Sequence, residues 1–210
     1  MVIAIDGPAG TGKSTIAHLI AEKLGITYLN SGSFYRSITL AALENGIDVK
    51  DESALLAFAK KQQLDYVNAR LVLNGVDVED KLHSDAVDAG VSGVSSVVEI
   101  RHLVNARLRE ITKSQSIICE GRDMTTVVFP NAEYKFYLDA SIDVQAERRF
   151  KQGVSNLSLE EIKEAIRKRD EMDKNKAEGA LKMAEDAIYL DTSLLTIKDV
   201  CEIILGKIHV

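Results

Sequence analysis

The chain has 210 residues, 46 % of them hydrophobic and 28 % charged, which suits one folded domain with a substantial core and perhaps a small insertion. A formal net charge of −6 argues against the broad basic surface that a nucleic-acid polymer needs, though not against a small phosphorylated ligand met by a local cluster of cations. No apolar segment approaches membrane-spanning length, and the two cysteines, Cys119 and Cys201, lack metal-ligand spacing. The cysteine pair implies a reducing compartment, and the first strand leaves no room for a signal peptide, so a cytoplasmic protein is expected.

In chain order, the apolar run Val2-Ile3-Ala4-Ile5 predicts a strand over 2–6, and Ile16, Leu19, Ile20 and Leu24 predict a helix over 13–24. A short strand near 27–30 and a helix over about 33–45 ending at Gly46 follow, then an amphipathic stretch over 51–62. From Leu64 to Val78 the pattern becomes short strands with turn residues, and Asn74-Gly75 is a type I′ hairpin signal. A long helix near 97–113, strands over 116–119 and 134–138, and helices from 141 to about 152 and over 159–174 come next. A strand over 187–190 and a helix over 196–206 close the chain. Strands that alternate with helices predict an α/β fold: an open parallel sheet of the phosphate-loop NTPase type, flanked by helices, with a small antiparallel insertion. The predicted layout is a core of 1–63, 93–147 and 177–210, an insertion over about 64–92, and a lid over about 148–176. No long apolar surface stripe is left over, which favours a monomer.

Between the first strand and the first helix stand Gly7-Pro8-Ala9-Gly10-Thr11-Gly12-Lys13-Ser14, followed by Thr15. This is the G-x-x-x-x-G-K-[ST] loop in the strand–helix setting it requires. Its glycines let consecutive N–H groups point at phosphate oxygens, and the helix N-terminus adds partial positive charge. Lys13 is expected to reach the phosphates and the Ser14 hydroxyl to hold magnesium.

Such a loop defines a nucleoside-triphosphate binder and nothing finer. A GTPase would need N-K-x-D after a strand, whereas Asn175-Lys176-Ala177-Glu178 follows a helix and ends in Glu. A small kinase remains, and arginines stand where one would use them. Arg36 follows the second strand, Arg122 ends the third, and Arg101 lies in the long helix. Arg148 and Arg149 precede Gly153, a candidate hinge. Arg169, Asp173 and Lys176 share one helical face. His18, His83, His102 and His209 show no catalytic spacing. Several arginines near strand ends with no evident base fit an acceptor that is already an anion, since arginines can then bring two repelling phosphates together. Kinases acting on AMP, UMP or a small alcohol, and a nucleotide-dependent switch module, are the competing readings.

The strings Gly7 to Thr15, Asn30-Ser31-Gly32 with Tyr35-Arg36, and Glu120-Gly121-Arg122-Asp123-Met124 through Phe129-Pro130 resemble the bacterial cytidylate kinase family, as do Arg148-Arg149 and Arg169 through Asn175. The resemblance covers essentially the whole chain. It implies ATP-dependent phosphorylation of CMP and dCMP with magnesium. It also implies that Ser92, Arg101 and Asp123 contact the cytosine, Arg36 and Arg122 the CMP phosphate, and Ser31 and Asp173 the sugar, with Arg169 close to both. Arg148 and Arg149 fall in the lid that closes over ATP. Four positions depart from the family's usual pattern: Asn30 and Glu120 where Asp is frequent, Thr125 where Gly is, and Lys176 where Arg is.

Overall fold

The computed structural model describes residues 1–153 and 157–209, which form two compact units, Met1–Leu29 with Thr112–Val210, and Asn30–Ile111. Residues 154–156 of the predicted lid lie outside the described residues.

The first unit is organised by strand β1 (Val2–Asp6), whose residues Ile3 to Asp6 are all buried. A strand covered on both faces reads as a continuous apolar run, as this one does until Asp6. It pairs in parallel with β6 (Ile117–Gly121), setting Ile5 against Glu120, and with β7 (Tyr134–Asp139), setting Ile5 against Phe136. β8 (Ile188–Asp191) runs parallel to β7, and β2 (Thr27–Asn30) lies beyond β6, so the order is β2-β6-β1-β7-β8. Chain order reverses at β1, and ligands of open α/β sheets bind beyond the carboxyl ends at such a switch.

Helix α1 (Lys13–Leu24) packs Ile16, Ala17 and Ile20 with Ile3, Ile5, Phe136 and Leu138. Val200 and Ile204 of α8 (Ile197–Leu205) complete that cluster. A separate cluster joins Ala146 of α6 (Ile142–Lys151) to Ile162 and Ile166 of α7 (Leu159–Lys174), with Ala9 against it. A capping box between Ser158 and Glu161 starts α7. The third predicted strand is two residues longer than its apolar run, because parallel pairing with β1 carries it through Glu120 and Gly121. Residues Met124–Val128 then form a π-helical turn.

The second unit contains α2 (Ser31–Glu44), α3 (Glu52–Ala59) and a three-stranded antiparallel sheet of β3 (Leu64–Val67), β4 (Arg70–Leu73) and β5 (Val76–Asp77). Asn74 and Gly75 both have positive φ, as the type I′ signal requires. Two further helices follow, α4 (Asp85–Val94) and α5 (Val98–Thr112). Helix α4 is absent from the sequence reading, which carried the antiparallel pattern on to residue 92. Val87, Val91 and Val94 bury one face of it and Ser84 caps it, while Gly90 and Gly93 mask the pattern. The methyl group of Thr39 is where a Cβ at residue 90 would have to go, 2.9 Å away. Phe34, Ile38, Leu55, Leu71, Leu82 and Leu108 fill this unit's core.

Candidate functional site: the phosphate loop and its cations

Residues 7–14 leave β1 with no room for side chains at the critical points. Gly7 has φ +148°, and a Cβ there would lie 2.0 Å from the Leu138 carbonyl oxygen of β7. Gly10, at φ +72°, lies against the backbone of Gln145. Gly12 begins α1 in the left-handed conformation without a side-chain cap, which leaves the first-turn amides to an anion, as helix N-termini do.

Lys13 is 5 % exposed. Its Nζ donates to the Pro8 carbonyl at 2.5 Å and to Thr11 Oγ1 at 3.4 Å. Burial, with Arg122 nearby, pushes its pKa down to about 7, although Glu120 and Asp170 pull the other way. Ser14 Oγ donates to Glu120 Oε1 at 2.6 Å, and the Tyr28 hydroxyl donates to the same oxygen at 3.1 Å. Among the described residues no group of three or more His, Cys, Asp or Glu side chains is placed to hold a metal.

The loop after β6 is anchored by Asp6. Its Oδ1 accepts from the Met124 amide at 2.8 Å, and its Oδ2 from the Thr125 amide at 2.7 Å and Thr125 Oγ1 at 2.6 Å. Complete burial pushes the Asp6 pKa up to about 6 against the pull of those bonds. The anchor holds the chain next to Arg122 and to Asp123, which is 2 % exposed. Arg122 Nε donates to Asp173 Oδ2 at 2.9 Å, and Lys176 Nζ donates to Asp173 Oδ1 at 2.7 Å. Burial opposes charge on both Arg122 and Asp173. The charges nonetheless hold the Asp173 carboxyl below its ordinary range and Arg122 above its own. Arg169 also acts on Lys13 and Asp173. One residue on, Asp170 Oδ1 accepts from the Ala9 amide of the loop at 3.1 Å.

Arg148 donates to Thr192 Oγ1 at 3.0 Å, to the Thr192 carbonyl at 2.7 Å and to the Thr11 carbonyl at 3.4 Å, which ties α6 to the phosphate loop. Arg149 turns instead to Gln152, at 3.1 Å. Of the predicted residues in this unit, Lys13, Ser14, Arg122, Arg169 and Asp173 thus belong to one connected charge network, and Arg148 joins the loop from α6.

Ser31, Arg36, Ser92 and Arg101 belong to the second unit, and all are buried. Arg36 donates to the Leu82 carbonyl at 2.9 Å and to Asp88 Oδ1 at 2.5 Å. Arg101, 2 % exposed, donates to the Ser95 carbonyl at 2.9 Å and lies 5.6 Å from the centre of the Tyr35 ring. The Ser92 carbonyl accepts from Ser95 and Ser96. The helix missing from the sequence reading, α4, thus carries both the partner of Arg36 and Ser92 itself.

The four departures have local structural roles. Asn30 Oδ1 caps α2 by accepting from the Gly32 amide at 2.9 Å, as an Asp would. Thr125 adds a hydroxyl donor to Asp6, Lys176 grips Asp173, and Glu120 receives Ser14. Asp6, Asp170 and Thr192 are absent from the predicted site. For Asp6 the signal was available, since a carboxylate ends an otherwise apolar strand directly before the loop. Asp170 shares its helical turn with Arg169 and Asp173, and Thr192 carries no comparable mark.

A parallel sheet with a glycine loop, a buried lysine and a hydroxyl facing a strand-end carboxylate defines a phosphate-loop nucleotide-binding protein. A solved gluconokinase from Sinorhizobium meliloti 1021 has the same fold, with a TM-score of 0.53 at 12 % identity over 98 % of this chain and 89 % of that one. The chain belongs to the cytidylate kinase family, whose model matches residues 3–210. A cytidylate kinase of Borreliella burgdorferi (strain ZS7) is 44 % identical over 214 residues, covering 100 % of this chain and 97 % of that protein. One from Borrelia hermsii (strain HS1 / DAH) is 43 % identical over 210 residues, covering 98 % and 96 %. The chain is therefore an enzyme of the nucleoside monophosphate kinase class. Among the described residues no helix is long and apolar enough to cross a membrane.

Proposed function

We propose that the enzyme transfers the terminal phosphoryl group of ATP to CMP, giving ADP and CDP, with dCMP as a second acceptor and the cytoplasm as its setting. The observation that carries this reading is Lys13 in the phosphate loop with Arg122 near enough to act on its charge, a half-buried arginine held at 2.9 Å by Asp173. Phosphoryl transfer between two nucleotides needs charge neutralisation and alignment more than proton removal, because the attacking oxygen of a monophosphate is already anionic. The loop amides and Lys13 hold the donor's phosphates. Arg122 and Arg169 take up the negative charge that develops on the transferred group, and Arg148 and Arg149 of the lid contribute from the ATP side. Asp123 reads the cytosine and Asp173 the sugar; Ser31, Arg36, Ser92 and Arg101 are the further CMP residues that the family resemblance implies.

The donor set at Ser14 suits magnesium. A hydroxyl and a carboxylate 2.6 Å apart are hard oxygen ligands, and this ion keeps several waters beside one or two protein oxygens. When bound, it supplies positive charge to the phosphates; Ser14 and Glu120 would hold it.

A coupled assay over CMP, dCMP, UMP and AMP tests the reading. CMP and dCMP are expected to turn over fastest, and equal or faster turnover of AMP would remove the assignment. Asp123→Ala is expected to raise KM for CMP roughly tenfold, the scale of one lost hydrogen bond to a charged group, and to leave KM for ATP nearly unchanged. Equal changes in both would rule out base reading by Asp123.

A further inference from the structure

The carboxylate of Asp170 stands where an anion would stand. It projects from α7, is 8 % exposed, and accepts from the Ala9 amide of the phosphate loop at 3.1 Å. Its charge acts on both Lys13 and Arg122, the cations that a phosphate chain would use. Lys13 meanwhile points its ammonium at the Pro8 carbonyl. A carboxylate and a phosphate oxygen cannot share one amide at hydrogen-bond distance, because two like charges would then meet in a desolvated place.

A cavity of about 500 Å³ adjoins Asp170, and Pro8, Tyr137, Gln145, Arg167 and Lys174 also line it. It offers room for a displaced carboxylate, with a phenol, a guanidinium and an ammonium group on its walls beside the carboxylates of Asp139 and Glu171. Arg169 and Asp173 lie one residue before Asp170 and three after it, on the same helix.

We propose that Asp170 is a positioning residue that stands in for a phosphate oxygen at the Ala9 amide, and that incoming triphosphate displaces it. This rests on the reading of residues 7–14 as the triphosphate site. The tether docks α7 on the loop. Its release frees the helix turn that carries Arg169 and Asp173, so filling of the loop is felt by the residues that neutralise the transferred group. The displacement also weakens binding, since the triphosphate competes with an internal anion.

Asp170→Asn keeps an acceptor for the Ala9 amide but removes the charge. Calorimetric titration with a non-hydrolysable ATP analogue, without CMP, is expected to give a Kd about tenfold lower than that of the wild type, the lower end of what a hydrogen bond to a charged group is worth. Asp170→Glu, which restores the charge, is expected to return Kd to the wild-type value or above. Melting temperatures identify any variant that fails to fold. A clamp with a purely structural role would give weaker binding when broken. A Kd for the Asn variant equal to or above the wild-type value overturns the proposal while leaving the triphosphate site intact. Failure of the wild-type chain to bind the analogue overturns the site and the proposal together.

Discussion

Replacing Lys13 by alanine is expected to lower kcat about a thousandfold, the upper range for losing one preorganised group that faces developing charge. Melting temperature should not fall. The ammonium is buried, and among the described residues it bonds a loop carbonyl and, at longer range, a threonine hydroxyl. Its pKa is about 7 in the fold against an ordinary 10.5. Between those values the native state binds fewer protons than the unfolded chain, so the cost of burying Lys13 is full below pH 7 and is relieved as pH rises toward 10.5. Triphosphate reverses the balance, because it supplies the anion that burial lacked. At pH 8.5 binding is expected to take up close to one proton in the wild type and none at this position in the alanine variant. Calorimetry in buffers of different ionisation enthalpy reads this directly. Near-normal kcat in the variant, or equal proton uptake in both proteins, would remove the assigned role.

The second large effect is expected at Asp6, which no substrate needs to touch. Asp6→Ala leaves the Met124 amide, the Thr125 amide and the Thr125 hydroxyl without the acceptor they share. Three stranded buried donors are expected to cost about 3 kcal/mol or more, set against some relief from desolvating a carboxylate. For a chain of this size that lowers Tm by roughly 6–12 °C. The loop carrying Arg122 and Asp123 loses its anchor at the same time, so KM for CMP should rise even at temperatures where the variant stays folded. The anchor also has a pH signature. A carboxyl raised to about 6 from 3.8 keeps its full contribution to stability below pH 3.8 and loses it as pH climbs through 6. Unfolding curves at pH 4.5 and 7.5 should show this decline in the wild type and not in the alanine variant. A variant with unchanged Tm and unchanged KM would show that the anchor is dispensable.

Much of this was legible in the residues themselves. The sheet and its helices follow from runs such as Val2–Ile5 and from the face of Ile16 and Ile20, because burial of those residues depends on local periodicity. The phosphate loop was legible for the same reason: its chemistry lies in eight consecutive residues. What escaped depends on partners far away in sequence. Glu120 looked like a mild exchange of one acid for another until pairing of β6 with β1 brought it to Ser14, 106 residues away. Asp170 lay inside the string Arg169 through Asn175 without a role of its own, and only packing of α7 against Ala9 gives it one. Arg36 was singled out from its place after β2, but its contact to Asp88 lies on α4, whose glycines concealed it, and its contact to the Leu82 carbonyl lies just before that helix.

The close passage of Gly7 beside the Leu138 carbonyl has a kinetic consequence. Because two backbone segments brace each other there, the cradle inherits its shape from the sheet and keeps it between turnovers. The backbone that receives an arriving nucleotide is already in shape, so little backbone ordering entropy is spent on capture, and the rearrangement that binding requires is left to side chains such as Asp170. The same bracing leaves natural variation almost nowhere to go at this position, since any side chain would have to move a neighbouring strand.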